Sequence, residues 1–132
     1  MLANGIFAWQ TRAQKTVAHS STEAEYMALS DCSRQAAWLR NLFKEIKYDL
    51  DPIPLYGDNM GSIFTAQNAV QSHKTKHIDI QYHYIRECVT DKKVELFFVE
   101  GAENPADMFT KNLGHVKFFK FRDQLGLEFP SK

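Results

Sequence analysis

The chain has 132 residues, 44% hydrophobic and 24% charged, with 16 basic side chains balancing 16 acidic ones. That length suits a single domain, residues 1–132, with a real core, and the balanced charge excludes a long-range field drawing the whole chain onto nucleic acid. No apolar run is long enough to span a bilayer, and no charged stretch leads into the apolar core of a signal peptide, so no membrane role is expected and cytosol, nucleus or an intracellular particle stay open.

Asn4-Gly5 is a strong hairpin signal. It is followed by Ile6–Gln10, a short apolar run of strand type, but only three residues precede the turn. The partner strand is almost entirely missing, so the chain reads as cut at its N-terminus. From Thr22 to about Ile46 the pattern is helical. Tyr26, Leu29, Ala36, Leu39, Phe43 and Ile46 recur at spacings of three, four and seven, and Thr22 with Glu25 fits a capping box. Asp49 to Pro54 is turn-rich. A short strand, Ile53–Tyr56, ends at Gly57-Asp58. A second helix is expected over Asn59–Ala69, then a polar, basic loop over Gln71–Lys76. A third helix, His77–Val89, carries Ile80, Tyr84 and Cys88 on one side. Val94–Val99 is the next strand. Asn104 reads as an N-cap with Pro105 at the first helical position. The last helix covers Val116–Leu125, with Gly126 as its stop.

Strands alternating with helices imply an α/β fold with a parallel pair around Leu55 and Leu96. Functional groups in such sheets collect at the carboxyl ends of strands. Asp58 lies at one such end, and Asp107 opens the helix after the other. Glu25 is the third candidate. Each has a bland alternative: Glu25 completes a capping box, Asp58 caps the next helix, and Asp107 is an acid in a first helical turn. Glu23 reads as a solvated first-turn acid. His73, Lys74, Lys76 and His77 form a basic loop that suits phosphate contact or plain solvation about equally. Lys111, Lys117, Lys120 and Arg122 read as an ordinary solvated helix face. His77, His83 and Cys88 lack the spacing of a zinc site. Cys32 and Cys88 read as reduced, at least partly buried thiols. Trp38, Phe97, Phe98, Phe118, Phe119 and Phe121 read as core aromatics.

Several stretches carry a resemblance. They are Trp9-Gln10 with Gln14–Ala18, Ser20–Leu29, Trp38–Arg40, Gly57–Asn59, Lys74–Ile80, His83–Arg86, Pro105–Asp107 with Thr110-Lys111, and Leu125–Leu127. In this order they resemble the ribonuclease H domain at the C-terminal end of a copia-type LTR retrotransposon Pol polyprotein. The resemblance covers nearly the whole chain, and the runs Ser20–Tyr26 and Thr75–Ile80 are its most specific parts.

That resemblance implies a ribonuclease H-like mixed sheet of five strands flanked by helices, here lacking the first strand and most of the second. It implies endonucleolytic cleavage of RNA in an RNA–DNA hybrid during reverse transcription, with two Mg2+ ions and Mn2+ as a substitute. The implied partners are the hybrid and the reverse transcriptase domain of the parent polyprotein. Glu25 and Asp58 match the acids on the leaving-group-side metal, and Asp107 matches the acid on the nucleophile-side metal. The aspartate bridging both metals, on the first strand, has no counterpart, and Glu100–Ala106 holds no histidine. The metal site is therefore expected to be weakened and the chain alone inactive or nearly so. An exposed sheet edge would invite a partner by strand addition. The alternative reading is a non-catalytic remnant that binds nucleic acid or a protein.

Overall fold

The computed structural model describes residues 6, 8–11, 14, 17, 18, 20–68 and 76–128, leaving the side chains of residues 76–79 and 82 aside. They fall in two compact units, Thr16–Val99 and a second made of Met1–Lys15 with Glu100–Lys132.

Helix α1, Ser21–Glu45, starts at Ser20, whose hydroxyl accepts from the Glu23 backbone N–H at 3.1 Å. The expected capping box at Thr22 and Glu25 is thus displaced by two residues. Tyr26, Leu29, Ser30, Ser33 and Ala36 form its buried stripe. Small residues in that stripe let the packed neighbours come close. Ser33 satisfies its buried hydroxyl by donating to the Leu29 carbonyl at 2.9 Å. The stripe does not run the whole helix, since Ile46, expected inside, is 70% exposed. Length explains this. A 25-residue helix spans about 37 Å, whereas a five-residue strand spans about 17 Å. The C-terminal half of α1 therefore overhangs the sheet.

Strand β1, Ile53–Gly57, and strand β2, Val94–Phe98, pair in parallel, with Leu55 opposite Leu96 and Tyr56 opposite Phe97. Helices α2, Met60–Gln67, and α3, Lys76–Thr90, connect them. Parallel strands need such a crossover. One sheet face is covered: Leu55, Val94 and Leu96 join Tyr26, Leu29, Ile63, Ala66, Ile85 and Cys88 in one apolar cluster. Among the described residues, the other face carries exposed aromatic side chains. Tyr56 stacks on Phe97 with ring centroids 5.5 Å apart, and both are exposed.

Several expectations need correction. Among the described residues the sheet has two strands. The expected strand Ile6–Gln10 is not formed: Ile6 and residues 8–11 have no regular structure, and Trp9 is 72% exposed. A strand without a paired neighbour leaves its backbone groups to water. The Asn4-Gly5 turn lies outside the described residues. On α3 the buried positions are Ile85 and Cys88, with Tyr84 and Val89 partly buried, while Ile80 is 58% exposed. Cys32 is exposed and Cys88 buried, and both are free thiols. Of the expected core aromatics only Phe121 is buried. Trp38, Phe97, Phe98 and Phe118 are exposed, because apolar character does not say which face of an element is covered.

In the second unit, the turns Gly101–Glu103 and Pro105–Phe109 are 3₁₀, and helix α4, His115–Gln124, follows. Asn104 caps the second turn, accepting from the Ala106 N–H at 3.1 Å, with Pro105 first as expected. Phe121 and Leu125 on and after α4 are buried. The segment near Thr11 joins this unit, its hydroxyl donating to the Phe109 carbonyl at 3.3 Å.

Three helices end alike. After α1, α3 and α4, residues Lys47, Lys92 and Gly126 take positive φ of 60°, 52° and 66°. In each case the next residue's N–H reaches back five residues to a helix carbonyl: Tyr48 to Phe43, Lys93 to Cys88, Leu127 to Arg122. These are Schellman closures. Only Gly126 was legible as a stop, since lysine carries no signal for the left-handed region.

Candidate functional site

In the unit Thr16–Val99, two of the three candidate acids lie where α1 and α2 begin. Asp58 follows the end of β1 directly and is half-buried. It does not cap α2. That task falls to Asn59, whose side-chain oxygen accepts from the Ser62 N–H at 2.9 Å. The bland reading of Asp58 is thereby removed.

The N-terminus of α2 lies against the first turn of α1. A Cβ placed on Gly61 would meet Thr22 Cγ2 at 3.4 Å and Asn59 Oδ1 at 3.2 Å. A glycine at this position keeps the two helix starts in contact. Thr22 and Glu25 are three residues apart on α1 and so share a side of the helix. Glu25 is exposed, and Ser20, not Thr22, is the cap. The capping reading of Glu25 falls away too.

Glu23 reverses its expectation. It is 3% exposed, one of the most buried charged side chains described. It stands three residues after the Ser20 cap, the position a capping-box glutamate takes. We expect Ser20→Ala to cost the unit about 1 kcal/mol in urea unfolding. Glu25→Gln should stay within about 0.5 kcal/mol, as surface changes do. Equal losses would return Glu25 to a capping role.

Asp107 lies in the other unit, in the 3₁₀ turn Pro105–Phe109. It is buried, and its two carboxylate oxygens each face an ammonium. Lys111 Nζ is 2.8 Å from Oδ1, and Lys117 Nζ is 3.9 Å from Oδ2. Lys117 also donates to the Gly101 carbonyl at 3.5 Å and stands 5.2 Å over the Phe121 ring. Lys120 pairs with Glu103, and Arg122 with Asp123. The basic residues of this region keep exposed or partly exposed side chains, as expected of a solvated face, and also pair with acids. The signal for Lys111 was present, since Asp107 and Lys111 have the i,i+4 spacing of a helical ion pair.

The donor chemistry suits a hard divalent cation, which takes carboxylate oxygens. Lys111 at Asp107 already stands where positive charge is favoured. Among the described residues, however, no three His, Cys, Asp or Glu side chains gather into one metal-holding group. Of the expected phosphate contacts, His73 and Lys74 lie outside the described residues. Lys76 and His77 open α3, and their side chains are outside the description. No helix among the described residues is long and apolar enough to cross a membrane.

Over 125 residues the chain is 35% identical to the retrovirus-related Pol polyprotein from transposon TNT 1-94 of Nicotiana tabacum. Over 127 residues it is 34% identical to the retrovirus-related Pol polyproteins from transposons RE2 and RE1 of Arabidopsis thaliana. These matches cover 95% to 96% of this chain but only 9% of each relative. No family model and no solved structure matches the chain.

Proposed function

We propose that this chain, a retroelement-derived segment homologous to the Pol polyproteins of plant transposons, is a ribonuclease H-like domain with RNA–DNA hybrid as its ligand. The observation that carries the reading is that the start of α2, which follows Asp58, lies against the first turn of α1, with Ser20 and Asn59 serving as the two helix caps. Asp107, in the other unit, is a further candidate carboxylate considered by itself. Divalent ions bound by such acids would supply an activated water and balance charge on the scissile phosphate.

The chain's own residues do the positioning. Ser20 and Asn59 pin the two helix starts. Gly61 lets them touch, and Asp58 follows directly on the parallel-paired strand β1. Lys76 and His77, at the start of α3, are the proposed phosphate contacts. The reverse transcriptase domain of a parent polyprotein is the proposed neighbour.

Three carboxylates are one short of the set that the resemblance implies. These 132 residues alone are therefore expected to bind a labelled hybrid but cut it weakly or not at all in Mg2+ or Mn2+. Joined to the segment that precedes the matched stretch in the TNT 1-94 relative, they should cut it. Hybrid binding without cutting in the joined protein would leave a non-catalytic binding module. Absence of both would overturn the reading.

A further inference from the structure

We propose that the outward face of α1 is a self-association surface, on which two copies of this chain pair antiparallel through Trp38 and Leu42. The inference uses only the unit Thr16–Val99 and does not depend on the reading of the acids. Nine residues make about two and a half helical turns. Trp38 therefore lies half a turn around α1 from the buried Leu29, and Leu42 half a turn around from the buried Ser33. With the C-cap Ile46 they form a row at i, i+4 and i+8 on the side turned away from the core. The three are 58%, 43% and 70% exposed. Apolar residues scattered singly on a surface need no explanation, but a contiguous row that starts with a tryptophan has the make-up of a contact.

The charges beside the row specify what it meets. Arg34 and Glu45 are eleven residues apart, about three turns, and so lie in line along the helix beside the row. Arg34 Nη1 holds Asp31 Oδ1 at 2.9 Å, its guanidinium stands 5.1 Å over the Tyr84 ring, and its side chain stays 42% exposed. Glu45 is exposed. In an antiparallel pair centred near Arg40, Trp38 of each copy meets Leu42 of the other, and Arg34 of each meets Glu45 of the other. A parallel pair would set Arg34 against Arg34 and Glu45 against Glu45. The antiparallel contact is isologous and closes as a dimer. With 16 basic and 16 acidic residues, the chain has no net charge to hold its copies apart. A contact confined to one helix face per copy belongs at the small end of specific interfaces, below about 1,200 Å² in total. Its affinity is therefore expected to be micromolar.

The test is sedimentation equilibrium of the whole chain across the micromolar range, with folding checked by circular dichroism. The starting protein should show a monomer–dimer equilibrium. Leu42→Glu should weaken it by at least about tenfold, because the pair would then bury two carboxylates without partners. Phe64→Glu, at a position 58% exposed on α2, makes the same change outside the row and should leave the equilibrium as it was. Arg34→Glu and Glu45→Arg should each weaken it by roughly three- to tenfold, the range of two exposed ion pairs. The double variant should return to within about twofold of the start, since the antiparallel pairs are then reversed but intact. A chain that stays monomeric throughout the range leaves the row to a different partner and overturns the proposal. Equal weakening by Leu42→Glu and Phe64→Glu would mean unspecific association and overturn it too. A folded double variant as weak as the single ones would overturn the antiparallel pairing.

Discussion

Ile85→Ala is expected to destabilise the unit Thr16–Val99 by about 2–5 kcal/mol, the cost of truncating a buried isoleucine and leaving a cavity. Ile85 has no exposed surface and belongs to the cluster that joins α1, α2, α3 and the covered sheet face. A marginally stable fold has only about 5–15 kcal/mol in total, so the variant stands near unfolding at ambient temperature. Ile80→Ala, on the same helix, removes the same atoms from a side chain that is 58% exposed. It should shift stability by no more than about 0.5 kcal/mol. Urea unfolding of both variants checks the pair. Similar losses would mean that Ile80, as its spacing suggested, belongs to the core after all.

The second large effect concerns activity. If the joined protein cuts hybrid as proposed, Asp58→Asn is expected to lower single-turnover cleavage by about a hundredfold or more. That corresponds to about 3 kcal/mol of lost transition-state stabilisation. Hybrid affinity should hold, because Asp58 contributes negative charge and is not proposed to touch the substrate's bases. The fold should hold as well, since Asn59 and not Asp58 caps α2. A variant that cuts normally would remove Asp58 from the site. A variant that is slow only because it has unfolded would show itself in its circular dichroism.

Much of the secondary structure was legible in advance. The helical spacing from Tyr26 to Ala36, the apolar strands at Leu55 and Leu96, the Asn104-Pro105 start and the Gly126 stop all rest on local rules of period, capping and backbone sterics. Those rules act within a few residues, so a single sequence carries them. The parallel pairing followed from the helical connections between the strands. The resemblance to a retrotransposon Pol polyprotein was readable too, and the similarity to Pol polyproteins of plant transposons agrees with it.

Other features depended on which surfaces meet. Glu23 and Glu25 are two residues apart in one helix, yet one is buried and the other exposed. Composition cannot distinguish them; the rotation of α1 about its axis does. Phe97 and Leu96 are adjacent and both apolar, but alternation in β2 sends Leu96 into the cluster and Phe97 to the open face beside Tyr56. Lys47 and Lys92 enter the left-handed region because a helix must close there, although nothing in a lysine requests it. Asp107 was legible as an acid at the start of a turn, but its burial between two ammonium groups was not. By itself the sequence determined where the helices and the two paired strands form, though not that Ile6–Gln10 would lack a strand, and which acids are candidates, because those depend mostly on neighbours along the chain. Tertiary structure alone decided which acids cap, which are buried and which meet a lysine, because those depend on neighbours in space.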